Sequence, residues 1–156
     1  MKKILAVFLS VIILLTLPMI SYASDFKDNK AESYVEYYSD GSYSVTTIET
    51  SSITVLANST VSKSKNTAHY NSDNEMQWVI TVKGTFTYTG SSATCTNSTV
   101  SYKIYDDHWK VTSAQASKNG RTAKGEFTLK RYVLGIPAKT VNETLTLTCS
   151  NTGVCS

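Results

Sequence analysis

EMQWVITVKGTFTY, residues 75–88, decides the fold. Met76, Trp78, Ile80, Val82, Phe86 and Tyr88 share one parity, while Glu75, Gln77, Thr81, Lys83, Thr85 and Thr87 take the other. Only Val79 breaks the alternation. A period of two sustained this long is a β-strand with one dry face, because successive side chains in a strand point to opposite sides. Gly84 falls on the dry parity. A glycine there predicts a bulge or bend, since it lacks a side chain to pack.

The pattern extends in both directions. In KTVNETLTLTC, residues 139–149, Val141, Leu145, Leu147 and Cys149 point one way and Thr140, Asn142, Thr144, Thr146 and Thr148 the other; Glu143 interrupts the apolar set. Residues 32–50 read as a hairpin around Asp40-Gly41. Further strands are predicted at 59–71, 93–105, 109–117 and 123–134, with turns at Thr89-Gly90 and Asn119-Gly120. Thr, Ser, Tyr and Val dominate, as suits a pleated, half-buried surface, and no segment shows helical periodicity. The expected fold is all-β: a single antiparallel sandwich, immunoglobulin-like or similar, with one disulfide.

The N-terminus has the composition of an export leader. Met1-Lys2-Lys3 precedes an apolar run from Ile4 to Leu17, and Ser21-Tyr22-Ala23 supplies small residues where a signal peptidase reads. The run is shorter than the roughly 20 residues a spanning helix needs. Residues 1–23 are therefore expected to be a signal peptide cut after Ala23, 24–32 a flexible polar arm, and 33–156 the folded domain, secreted and soluble. The chain carries a net +3, and two of those charges, Lys2 and Lys3, lie in the leader. The remaining balance makes no case for nucleic acid or for a membrane after the leader is removed. Lys118, Arg121, Lys124, Lys130 and Arg131 form the densest positive stretch, a candidate patch for an anionic polymer and otherwise ordinary solvated strand faces.

Cys95, Cys149 and Cys155 are an odd set for an exported chain, so one disulfide and one remaining thiol are expected. Cys95–Cys149 is the favoured pairing. It would tie an internal segment to the last strand, and by the chain-entropy estimate a loop of about 50 residues is worth roughly 4 kcal/mol. Cys149–Cys155, closing a tight loop through SNTGV, is the alternative.

Chemistry is sparse. HExxH, a paired Cys-x-x-Cys, a Gly-rich phosphate loop and a Gly-x-Ser-x-Gly elbow are all absent from the sequence. Asp106-Asp107-His108 has the composition of a site, but strand alternation runs on either side of it. It is read as a polar hairpin tip with Trp109 turned inward; calcium would need six to eight oxygens, which two aspartates do not supply. Tyr34, Tyr37, Tyr38 and Tyr43 cluster in the first hairpin, either as strand packing or as exposed rings that stack on sugars. Asn58, Asn97 and Asn142 match the N-glycosylation pattern, as a Ser/Thr-rich chain does by chance.

KGTFTYTGSSATC (83–95), the strand reaching Trp109-Lys110-Val111, and VLGIPAKTVNETLTLTC (133–149) resemble an uncharacterised family of small secreted β-rich proteins of Gram-positive bacteria. The resemblance implies a secreted β domain whose two cysteines correspond to Cys95 and Cys149, with Cys155 an addition. It implies no activity or cofactor. The functional expectation is a non-enzymatic protein binding a cell-wall polymer, a protein partner or another copy of itself, with no catalytic residues, metal or cofactor. A small secreted hydrolase and a toxin or immunity-type protein are the alternatives.

Overall fold

The computed structural model describes residues 32–51 and 59–156; the leader 1–23 and most of the polar arm lie outside them. The described residues form eight strands: β1 (Glu32–Tyr37), β2 (Tyr43–Ser51), β3 (Ser59–Tyr70), β4 (Met76–Tyr88), β5 (Ala93–Ile104), β6 (Trp109–Asn119), β7 (Thr122–Val133) and β8 (Ile136–Thr148). Strands β1 to β5 form one sheet and β6 to β8 a second, each in simple chain order, with every neighbouring pair antiparallel. Both sheets are meanders, without the Greek-key crossover of an immunoglobulin domain.

The dry parity read from the sequence builds the space between the sheets. Trp78, Ile80, Val82 and Phe86 of β4 meet Phe127 and Leu129 of β7 and Leu145 and Leu147 of β8, all at most 5 % exposed. Gly84 belongs to this face. A Cβ there would lie 2.5 Å from the Phe86 ring and 3.0 Å from Ala123 Cβ, so the glycine makes room for the ring. The expected irregularity falls just beyond it, as a register shift between Thr85 and Phe86 against β5.

Two expectations need correction. Residues 105–108 are not a hairpin tip: β5 and β6 belong to different sheets, so this segment is the arch carrying the chain from one layer to the other. Trp109 does turn inward, at 4 % exposure. The disulfide joins Cys149 to Cys155, not to Cys95. Backbone bonds within the tail, Ser150 N to Val154 O at 2.7 Å and Gly153 N to Ser150 O at 3.0 Å, fold it back along the end of β8. Thr148 and Ser156 exchange both backbone hydrogen bonds at 2.9 Å. The next opposed pair in an antiparallel ladder is a close, non-hydrogen-bonded one, and it is occupied by Cys149 and Cys155. Cys95 is a free, buried thiol on β5, its pKa raised by burial.

Candidate functional site

A meander puts alternate connections at the same end of the molecule. One end gathers the turn at 38–42, the turn at 71–75, the arch at 105–108 and the tip of the β7–β8 hairpin. The strand ends behind them hold the polar residues of the inner face.

His69 is the centre of this end. It is 6 % exposed and faces inward from β3. Its ring stacks on Trp78, with centroids 4.9 Å apart and planes 17° from parallel, while Trp109 meets it edge-on at 6.1 Å and 75°. Tyr38 lies 5.8 Å away on another side. The Tyr38 hydroxyl donates to Ser44 Oγ at 3.3 Å, and Ser44 Oγ lies 3.1 Å from His69 Nδ1. The Ser44 oxygen, already accepting from Tyr38, joins the tyrosine hydroxyl to the imidazole in one buried chain of hydrogen bonds. Burial lowers the imidazole pKa, the positive charge of Lys139 adds to this, and Asp40 opposes it. The ring is neutral at pH 7.

Both neighbouring tryptophans carry a buried indole Nε1–H that finds no acceptor among the described residues. Such a donor left unmet costs about 1–3 kcal/mol. The aromatic rings packed on them offer π faces, which are weak acceptors.

Charged groups ring this aromatic box. Asp40 accepts from the Ser42 hydroxyl at 2.5 Å and from Lys139 Nζ at 3.0 Å. The Ser42 hydroxyl, then Lys139 and the Ser42 N–H, hold its carboxyl well below the usual range. Arg131 pairs in register with Trp109 on one side and Lys139 on the other, which brings all three to the same face of the second sheet. A cavity of 340 Å³ lies among Asp40, Ser42, His69, Trp109, Arg131 and Lys139. A second, of 250 Å³, shares Asp40, His69 and Lys139 and extends to Tyr38, Trp78 and Glu143. Burial, reinforced by Glu36, raises the Glu143 pKa. The residue that interrupted the apolar set of β8 therefore faces the inter-sheet space.

The candidate residues read from the sequence are dispersed. Of the tyrosines, Tyr38 belongs to the aromatic box. Tyr37 and Tyr43 pair directly across β1 and β2 and continue to Tyr70 on β3, with Tyr43 stacked on Tyr70 at 4.9 Å. Tyr34 stands apart, 6.0 Å beneath Lys65 Nζ. The basic stretch is not one patch. Lys118 donates to the Thr96 carbonyl near the opposite end, Arg121 sits in the turn there, Lys124 pairs with Glu126 at 2.7 Å, and Lys130 and Arg131 alternate between the two faces at the His69 end. Asp106, Asp107 and His108 bring their ligand atoms within 4.8 Å of one another. The cluster closes on itself: Asp106 Oδ1 accepts from the His108 N–H at 3.0 Å and lies 2.7 Å from its Nδ1. Burial opposes charge on Asp106, but the His108 backbone and ring outweigh it and lower its pKa. Trp109 N–H then donates to the Asp106 carbonyl at 3.0 Å, so these residues build the arch.

The sequence does not single out His69, Ser42, Ser44 or Lys139. The available signals were Glu143 on a dry parity and a histidine among the polar inner positions of β3.

What these features define is a class: an all-β protein of two antiparallel sheets with an aromatic, charge-rimmed cleft at its turn-bearing end. No protein-family model matches the chain, and no curated protein and no solved structure matches it.

Proposed function

We propose that this chain is an exported, non-enzymatic binding protein that acts at the cell surface or in the medium and takes a segment of wall polymer in the His69 cleft. The observation that carries this reading is the pairing of aromatic walls with hydrogen-bonding groups of both signs. His69 and Trp109, almost fully buried, present only a small part of their rings to the cleft; Asp40, Lys139, Arg131 and Ser42 supply donors and acceptors. A sugar unit has an apolar face and a polar rim, and matches both. The 340 Å³ volume is near the lower end of the roughly 300–1,000 Å³ typical of small-ligand sites, which suits one or two such units. The disulfide and the absence of any helix long and apolar enough to cross a membrane among the described residues are compatible with an extracellular location.

Sedimentation of residues 24–156 with purified Gram-positive cell walls tests this. Arg131→Ala and Lys139→Ala replace exposed side chains and are expected to weaken binding about tenfold each with little loss of stability. Absence of binding at low and moderate salt removes the wall-polymer reading.

A small hydrolase is the competing reading, favoured by one observation, the Ser44–His69 hydrogen bond. Ser44 is 4 % exposed and already accepts from Tyr38, so its oxygen is badly placed to attack a polymer. Turnover of wall fragments that Ser44→Ala abolishes would establish the enzyme instead.

A further inference from the structure

The tip of the β7–β8 hairpin is built against the preferences of its own fold. Leu134 and Gly135 form its two-residue turn with φ of +51° and +79°. Turns of this kind favour Asn-Gly or Gly-Gly, and a leucine is strained at positive φ. Leu134 is also 97 % exposed, with Val133 at 46 % and Ile136 at 69 %. At 97 % exposure Leu134 meets almost nothing among the described residues that would compensate its backbone strain or its exposed apolar surface. Such an outlier points to a role outside the fold.

The surroundings point to the partner. Beyond the Trp109–Arg131 pair the hairpin is a two-stranded ribbon, so its tip projects past β6. Cations stand behind it in cross-strand pairs, Lys110 with Lys130 and Arg131 with Lys139. Lys110 Nζ lies 5.2 Å from the Tyr132 ring and Lys103 Nζ lies 4.6 Å from the Tyr105 ring. Of the carboxylates at this end, Asp40 is engaged by Lys139, Asp106 and Asp107 by His108, and Glu75 by Asn71, while Asp73 in the 71–75 turn forms no salt bridge among the described residues. Lys110, Lys130 and Arg131 form no salt bridge among the described residues.

We propose that this tip docks on an anionic lipid surface, with Val133, Leu134 and Ile136 entering the headgroup boundary and Lys110, Lys130 and Arg131 meeting lipid phosphates. Apolar residues at the apex, then tyrosines and cations behind, is the order in which an interface presents hydrocarbon, headgroup and charge. A second copy is a poor match, because the cleft it would offer is lined by Arg131 and Lys139 themselves. The net charge, +3 for the chain and +1 without Lys2 and Lys3, averages this local feature away.

The test is co-sedimentation of residues 24–156 with vesicles of phosphatidylcholine alone or mixed with phosphatidylglycerol, with free glycerol phosphate as competitor. Binding is expected to the mixed vesicles alone, to survive the competitor, and to fall about tenfold in Leu134→Asn and in Lys110→Glu/Lys130→Glu. Leu134→Asn is also expected to raise the melting temperature, because asparagine accepts positive φ, so lost binding cannot be ascribed to unfolding. The proposal is overturned if the intact protein ignores anionic vesicles, if Leu134→Asn binds them undiminished, or if free glycerol phosphate displaces it. Concentration-dependent self-association removed by Leu134→Asn would overturn it in favour of a second copy.

Discussion

His69 shows how one residue ties the stability of this end to its chemistry. Its imidazole is stacked on Trp78, shares a hydrogen bond with Ser44 and is kept neutral mainly by burial. The folded state therefore refuses a proton that the unfolded chain accepts. Stability is fully present above the ordinary histidine pKa of about 6.5 and declines as pH falls through that value toward the lower folded one. His69→Gln should flatten the pH dependence of the urea midpoint between about pH 7 and 5; an unchanged slope would show that the ring does not titrate this way. Glu143 has the opposite sign, because its raised pKa makes the charged form the disfavoured one. Glu143→Gln should stabilise the protein at neutral pH, and the gain should shrink as pH falls toward 4.5. Gly84→Ala is expected to cost about 1–3 kcal/mol, since its methyl would meet the Phe86 ring, and should lower the urea midpoint without changing the slope.

At the scale of elements, the strands of the core were legible and the polar ones only in part. In β4 and β8 one parity is apolar and the other hydrophilic, so burial declares the inner face. In β2 and β3 both parities are mainly polar, and apart from Ile48 and Val61 the inner face is held by paired hydroxyls and an imidazole. Thr46 meets Thr67 at 2.8 Å and Ser44 meets His69 at 3.1 Å, contacts that require the cross-strand register to be known. The disulfide was misassigned for a related reason. Alternation puts Cys149 correctly on the inner face but does not choose between its two candidate partners; the reversal of the tail through SNTGV, which belongs to the alternative pairing, sets Cys155 opposite Cys149. The closed loop is short, with a sequence separation of six, so its chain-entropy contribution is about 2 kcal/mol against roughly 4 for the longer pairing. Non-reducing peptide mapping should yield a linked Cys149–Cys155 fragment, and Cys149→Ser should cost about 2 kcal/mol. A Cys95-containing linked fragment would contradict this arrangement.

At the scale of the whole molecule, connectivity creates the site. Two meanders joined by one arch bring four connections to one end, and there Asp40, His69, Trp109 and Lys139, distant in sequence, share a cavity. Sequence spacing carries no trace of that convergence, which is why Asp106-Asp107-His108 drew attention and His69 did not. The same geometry separates the cations of residues 118–131. Ten residues of strand cover about 33 Å, so Arg121 and Arg131 stand at opposite ends although they are neighbours in the sequence. The central claim is that ligand enters the His69 cleft. The most direct measurement is a titration of isotope-labelled protein with soluble wall fragments, followed by amide and indole N–H chemical shifts. Shifts are expected to concentrate at residues 38–44, 69–77, 105–109 and 131–139 and to include the indole protons of Trp78 and Trp109. Unmoved indoles, with shifts gathered instead on the outer face around Gln115, Thr128 and Asn142, would contradict that claim.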